Sequence, residues 1–151
     1  MLAPFDRKMV SVTPPAAKLD NASATTAEID TLGYRFAVIN VYLGDTDIAA
    51  AALKVQESDV SGSGFADITG TRFGTDNQDT GAASALPSAN DDNKFFQIFI
   101  DLRGRKRYLD VVFTAGDGTT GTFAAIWCEL YRGEKAPRLA SESGVAQRLV
   151  A

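Results

Sequence analysis

Lys94–Arg132 reads KFFQIFIDL-RGRK-RYLDVVFTA-GDGTTG-TFAAIWCELYR: three aromatic and β-branched runs cut by two turn clusters. Runs of this kind predict three consecutive antiparallel strands joined as a meander. Strand alternation assigns the faces. In Phe95–Leu102, Phe96, Ile98, Ile100 and Leu102 face one way, and Phe95, Gln97, Phe99 and Asp101 the other. In Arg107–Thr114, Leu109, Val111 and Phe113 oppose Tyr108, Asp110, Val112 and Thr114. In Thr122–Arg132, Ala124, Ile126, Cys128 and Leu130 oppose Phe123, Ala125, Trp127, Glu129 and Tyr131. Each run has one apolar face, and a shared apolar face makes a core layer.

Working outward, Tyr34–Leu43 (YRFAVINVYL) is another strong strand, apolar on both faces, which predicts a central position between two layers. Thr26–Asp30, Ala52–Ser58 and Phe65–Ile68 read as further strands, and 46–51 as a loop or a single helical turn. Thr69–Asn93 is a long loop rich in Gly, Thr, Asp, Asn and Ser, with Phe73 and Leu86 as its large apolar anchors; such loops are usually functional or mobile. Residues 1–25 read as an extended N-terminal arm around Pro14-Pro15, with a frayed terminus as the alternative. Residues 133–151 read as a C-terminal arm. Between the two arms, 26–132 reads as one all-β domain, an antiparallel β-sandwich or jelly roll.

Bulk properties narrow the function. The 151 residues carry a net charge of −4, which disfavours a general nucleic-acid binder. The chain has no histidine and one cysteine, Cys128. His-based triads, most zinc sites and any intrachain disulfide are thereby excluded. No run reaches the roughly 18 apolar residues of a membrane helix, and Asp6, Arg7 and Lys8 stand where a signal peptide would be apolar. The expectation is a protein of the cytoplasm, or of a particle assembled there, with no cofactor and no metal.

Candidate sites follow. Arg103-Gly104-Arg105-Lys106-Arg107 packs four cations into five residues. It reads as an anion contact for an acidic protein surface or a phosphate backbone, or as a solvated hairpin tip that blunts a sheet edge. Alternation sends Arg107 to the face of Leu109, with Asp101 or Asp110 as the candidate ionic partner. Asp76–Asp79 and Asn90–Asn93 offer oxygen ligands without the EF-hand spacing, so they read as acidic loops. Asp45 and Asp47 sit in a turn signal, where Asp caps backbone groups. Glu57 and Asp59 show no sign of a pocket. Trp127 and Tyr131 share a strand face and read as core or as a subunit seam rather than a stacking platform. Cys128, between Ile126 and Leu130, reads as a small buried hydrophobe.

LKVQESD (Leu53–Asp59), the aromatic-Ala-Asp-Ile of Phe65–Ile68, IDLRGRKRYLDVVFTAGDGTTGT (Ile100–Thr122) and Glu134-Lys135-Ala136-Pro137 carry a resemblance. Over about Ala27–Gly144 the chain resembles small tailed-phage and prophage virion proteins encoded beside the major capsid protein. The resemblance implies a capsid decoration (cement) protein: a compact β domain, often a homotrimer, clamped by an arm across capsomer junctions on the virion surface. The implied partner is the major capsid protein, with no direct nucleic acid and no membrane. On this reading Phe5, Arg7, Met9, Val10, Arg103, Arg105, Lys106, Arg107, Arg138 and Leu149 make the shell contacts. Trp127 and Tyr131 form the homo-oligomer interface. Alternatives are a head–tail connector or tail or baseplate protein, and a carbohydrate-binding module. The last should expose aromatics in a groove, whereas most aromatics here fall on strand faces expected to be buried. An enzyme is the third class, and the sequence offers no nucleophile–base pair for it.

Overall fold

Inward-facing residues at alternate positions of the long strands dictate a two-layer architecture. The computed structural model describes residues 6–135 and 139–149. Its strands are β1 (Arg7–Thr13), β2 (Ile29–Asp30), β3 (Phe36–Thr46), β4 (Ala52–Ser58), β5 (Ala66–Asp67), β6 (Phe95–Asp101), β7 (Tyr108–Thr114) and β8 (Thr122–Tyr131). One sheet has the order β1-β8-β3-β6 and the other β2-β7-β4-β5, with every pair antiparallel. Nested pairing of first with last, second with seventh, third with sixth and fourth with fifth is a long hairpin wound on itself. That is a jelly roll, and the expected all-β sandwich is the observed fold.

The predicted meander is not. β6 and β8 lie in one sheet and β7 in the other, so the three runs are not hydrogen-bonded neighbours. Their apolar faces meet across the sandwich instead of forming one layer. The faces themselves are as alternation assigned them: Ile98 and Ile100, Leu109, Val111 and Phe113, and Ala124, Ile126, Cys128 and Leu130 are all buried. β3 and β4 complete the core with Ala37, Ile39, Val41, Leu43, Leu53 and Val55. Cys128 is fully buried, and burial pushes its thiol up to about 12.

Two further expectations change. β3 is central within its sheet, but only one of its faces meets a second layer, because the other is the outer surface of the sandwich. Arg7–Thr13, read as part of an N-terminal arm, is an edge strand running from Arg7↔Tyr131 to Thr13↔Ile126. Its sequence lacks a long apolar stripe because only Val12 is buried, while Met9 and Val10 are half-buried. A short 3-10 turn, Ser141–Ser143, follows in the C-terminal segment, and Ser143 is buried. Gly144 then lies on the Met9 carbonyl so closely that a Cβ would overlap it. This part of the predicted C-terminal arm is docked on β1, whereas Leu149 is 98% exposed.

Phe113→Ala should cost about 3–5 kcal/mol, because it empties a fully buried aromatic site. Phe99→Ala, on the outer face, should cost no more than about 1 kcal/mol. Chemical denaturation midpoints check both. Native protein should also leave Cys128 unmodified by a thiol reagent that labels it completely after unfolding.

Candidate functional site

The outer face of the β1-β8-β3-β6 sheet gathers half of the chain's fourteen aromatic side chains. Register sets its rows. Across β1, β8, β3 and β6 the first reads Arg7, Tyr131, Phe36, Asp101, and the second Met9, Glu129, Val38, Phe99. The third reads Ser11, Trp127, Asn40, Gln97, and beyond it stand Ala125, Tyr42 and Phe95. Phe95 is 65% and Phe99 64% exposed, with Phe123 at 43% and Tyr42 at 38%. Cross-strand stacking holds the rings in place. Tyr42 and Phe95 have centroids 4.6 Å apart, Phe36 and Phe99 5.4 Å, and Trp127 meets Phe95 edge-on at 6.2 Å. The Arg35 and Arg132 guanidiniums lie 5.7 and 5.4 Å from the Phe36 ring. At the centre, the Gln97 side-chain amide donates to Asn40 Oδ1 at 2.8 Å. At the rim, Arg7 pairs with Glu129 at 3.0 Å, and the Tyr131 hydroxyl donates to the same carboxylate at 2.9 Å.

The expectation that most aromatics are buried therefore fails. β6 is an edge strand, so its outward residues have a strand neighbour on one side only. Trp127 and Tyr131 do lie on this face, half-buried. Sequence reading passed over Phe36, Tyr42, Phe95 and Phe99. The available signal was the pairing of Phe95 and Phe99 with Gln97 and Asp101 on the polar side of their strand.

The basic cluster is placed differently from its prediction. Because β6 and β7 belong to different sheets, Arg103–Arg107 is a crossover between sheets and not a hairpin tip. The Leu102 N–H bonds Arg35 O in one sheet, and the Thr31 N–H bonds Arg107 O in the other. Arg103 is paired with Asp101. Arg105 reaches Glu57 at 3.3 Å, and the same carboxylate accepts the Lys106 backbone N–H at 3.1 Å. Arg107 forks onto Asp30 at 2.9 and 2.7 Å, not onto Asp101 or Asp110. β2 pairs beside β7, which brings Asp30 within reach. Three of the four cations thus meet carboxylates within the molecule. Phe5 and Arg138 lie outside the described residues.

The acidic loops are internally engaged as well. Asp76 accepts the backbone N–H groups of Gly70 and Arg72 and pairs with the Arg72 side chain. Asp91 closes a capping box with Ser88, and Asp92 accepts the Thr46 N–H at 2.8 Å. These bonds, with Phe73 and Leu86 packed on the core, pin the 69–93 loop beside β6. Between loop and strand lies a cavity of about 750 Å³, lined by Arg72, Phe73, Gln78 and Leu86 and by Phe95–Phe99. Among the described residues, no cluster of three or more His, Cys, Asp or Glu side chains is arranged to hold a metal ion. No described helix is long and apolar enough to cross a membrane. No protein-family model matches the chain, and no curated protein matches it either.

Asp47 shows what the turn carboxylates do. Its Oδ2 accepts the backbone N–H groups of Thr119, Thr120 and Gly121 at 2.6, 2.6 and 3.1 Å. Those bonds hold its carboxyl at about 2. Ionic partners do the same for Asp76, through Arg72, and for Asp101, through Arg103. A depressed folded value means the contribution is complete above the ordinary carboxylate range and is lost as pH falls toward 2. Thermal stability should therefore drop between about pH 4 and pH 2. Asp47→Asn should lower the melting temperature at pH 7 and reduce the further loss below pH 4. A melting series by circular dichroism checks this, and an unchanged pH slope in the variant would refute the assignment.

Proposed function

We propose that the protein is a non-enzymatic structural component of a phage virion, a capsid decoration protein that binds the major capsid protein on the outside of the head. The observation that carries the reading is the exposed aromatic face around Phe95 and Phe99. A monomer rarely leaves such a patch open unless it binds something. The sequence resemblance supplies the phage setting. The fold does not choose, since two-sheet jelly rolls serve viral capsid proteins and lectins alike.

Energetics fit attachment to a lattice. The four most exposed rings offer on the order of 400 Å² of apolar surface. Burying it gains about 10 kcal/mol. Association itself costs about 4–15 kcal/mol, so one face alone binds weakly. Weak identical contacts gain strength when linked in a homo-oligomer that spans neighbouring subunits. A trimer joined near Trp127 and Tyr131, with Phe95 and Phe99 toward the shell, satisfies that requirement. The contact set moves accordingly from Arg103–Arg107, whose charges are largely met internally, to the sheet face.

A second reading has its own support. Asn40 and Gln97 place amide groups among Trp127, Tyr42 and Phe95, an arrangement suited to a sugar ring. A glycan-array signal abolished by Trp127→Ala would favour this carbohydrate-binding role.

The deciding experiment mixes purified protein with expanded shells lacking it and images them by cryo-electron microscopy. Regular density at capsomer junctions is expected, and Phe95→Glu/Phe99→Glu should abolish it while leaving the fold intact by circular dichroism. Shells without added density, or density unaffected by the double variant, would overturn the proposal.

A further inference from the structure

The four sheet edges are not equally protected. β2 and β5 are only two residues long. β1 is covered, because the Ala27 N–H bonds Val12 O at 2.9 Å and Gly144 lies on Met9 O. β6 is seven residues long and, among the described residues, has no strand beyond it. Its register with β3 decides which backbone groups remain. Arg35 and Leu102 form a hydrogen-bonded pair, with the Leu102 N–H donating to Arg35 O at 2.9 Å. Such pairs recur every second residue in an antiparallel ladder, so Ile100, Ile98 and Phe96 also bond toward β3. The N–H and C=O groups of Phe95, Gln97, Phe99 and Asp101 consequently point away from it. Among the described residues, none of these groups has a backbone partner.

This open row borders the cavity between β6 and the 69–93 loop. Strand spacing allots about 160 Å³ to each residue of a packed strand. The cavity of about 750 Å³ thus accommodates one strand of roughly five residues. Residues of the 69–93 loop wall its far side. Its lining includes the carboxylates of Asp76, Asp79 and Asp91 against one guanidinium, Arg72.

We propose that β6 is a strand-addition site that takes an extended segment of another polypeptide as a fifth strand of the β1-β8-β3-β6 sheet. Main-chain hydrogen bonds to Phe95, Gln97, Phe99 and Asp101 supply affinity. Alternate side chains of the incoming strand fall toward Phe96, Phe73 and Leu86, so those positions are apolar. Arg72 pairs with Asp76, and Lys94 and Ser88 hold Asp91, so it is the remaining lining carboxylate, Asp79, that favours a basic residue among the others. The site does not depend on the partner being a capsid subunit.

The test uses two blocked seven-residue peptides in which valine alternates with lysine or with glutamate. Each is titrated into the full chain and followed by amide NMR. The lysine peptide is expected to shift the Phe95, Gln97, Phe99 and Asp101 amides and slow their exchange, with at least tenfold weaker binding of the glutamate peptide. Gln97→Pro removes one edge N–H without touching the β3 ladder, and should weaken binding at least tenfold, whereas Gln97→Ala should not. Should the proline variant fold poorly, backbone N-methylation of the peptide must produce the same loss with unaltered protein. Absence of binding at millimolar peptide, binding indifferent to both the proline and the N-methyl groups, or a dimer through β6 without peptide would each overturn the proposal.

Discussion

The pairing of β3 with β8 is the contact on which the rest depends. It runs from Phe36↔Tyr131 to Thr46↔Thr122 and joins segments about ninety residues apart in the chain. Closing so long a loop costs entropy before any contact repays it, though the cost grows only slowly with length. Once β3 and β8 are in register, β1 and β6 have edges to pair with, and the odd-numbered β3 residues and even-numbered β8 residues point into one core. A one-residue slip would turn one of the two strands over relative to the other, placing either Phe36 and Tyr42 or Trp127 inside. Folding should accordingly be slow for the chain's size, since its ladders are almost all non-local.

The same register creates the exposed aromatic surface. β3 is apolar on both faces, yet a sandwich has only one interior. Its inner residues, Ala37 through Leu43, are consumed by the core. Phe36, Val38 and Tyr42 are left with neighbours that are themselves aromatic. Stacking across strands keeps these rings ordered without burying them. A surface built this way offers area at little cost in side-chain entropy, because the rings are already held before a partner arrives.

Much of this was legible in the residues. Alternation correctly divided each long strand into an inner and an outer face, down to Cys128 and Phe113. The cluster Gly116–Gly121 separates two strands as read, and Asp47 caps backbone groups as a turn aspartate would, whereas Asp45, read in the same turn, lies within β3. Neighbour relations were not legible, because alternation reports which side a residue faces and not which strand lies beside it. The connection through Arg103–Arg107 is as compatible with a hairpin as with a crossover between sheets. Only the distant partners Asp30 and Glu57, which neutralise Arg107 and Arg105, distinguish the two. β1 escaped notice for a related reason: an edge strand with one fully buried side chain carries almost no hydrophobic period. The exposure of Phe95 and Phe99 depends on β6 standing at an edge, which is a property of topology.

Edge protection gives the remaining step. Jelly rolls are left with sheet edges that a closed barrel does not have, and each edge is a route to unwanted association. Here two edges are shortened to two residues and a third is covered by Ala27 and by the turn at Gly144. The fourth is long, carries Phe95 and Phe99 beside Gln97 and Asp101 on its outward side, and is bare of the lysines and prolines that commonly blunt such strands. It is nonetheless walled by a loop whose carboxylates are fixed by Arg72, Ser88 and Thr46. The space between that wall and the strand, about 750 Å³, matches one short extended chain. The sequence that leaves β6 open therefore also restricts what can reach it, and that combination suits a strand held for a chosen partner better than an unguarded edge.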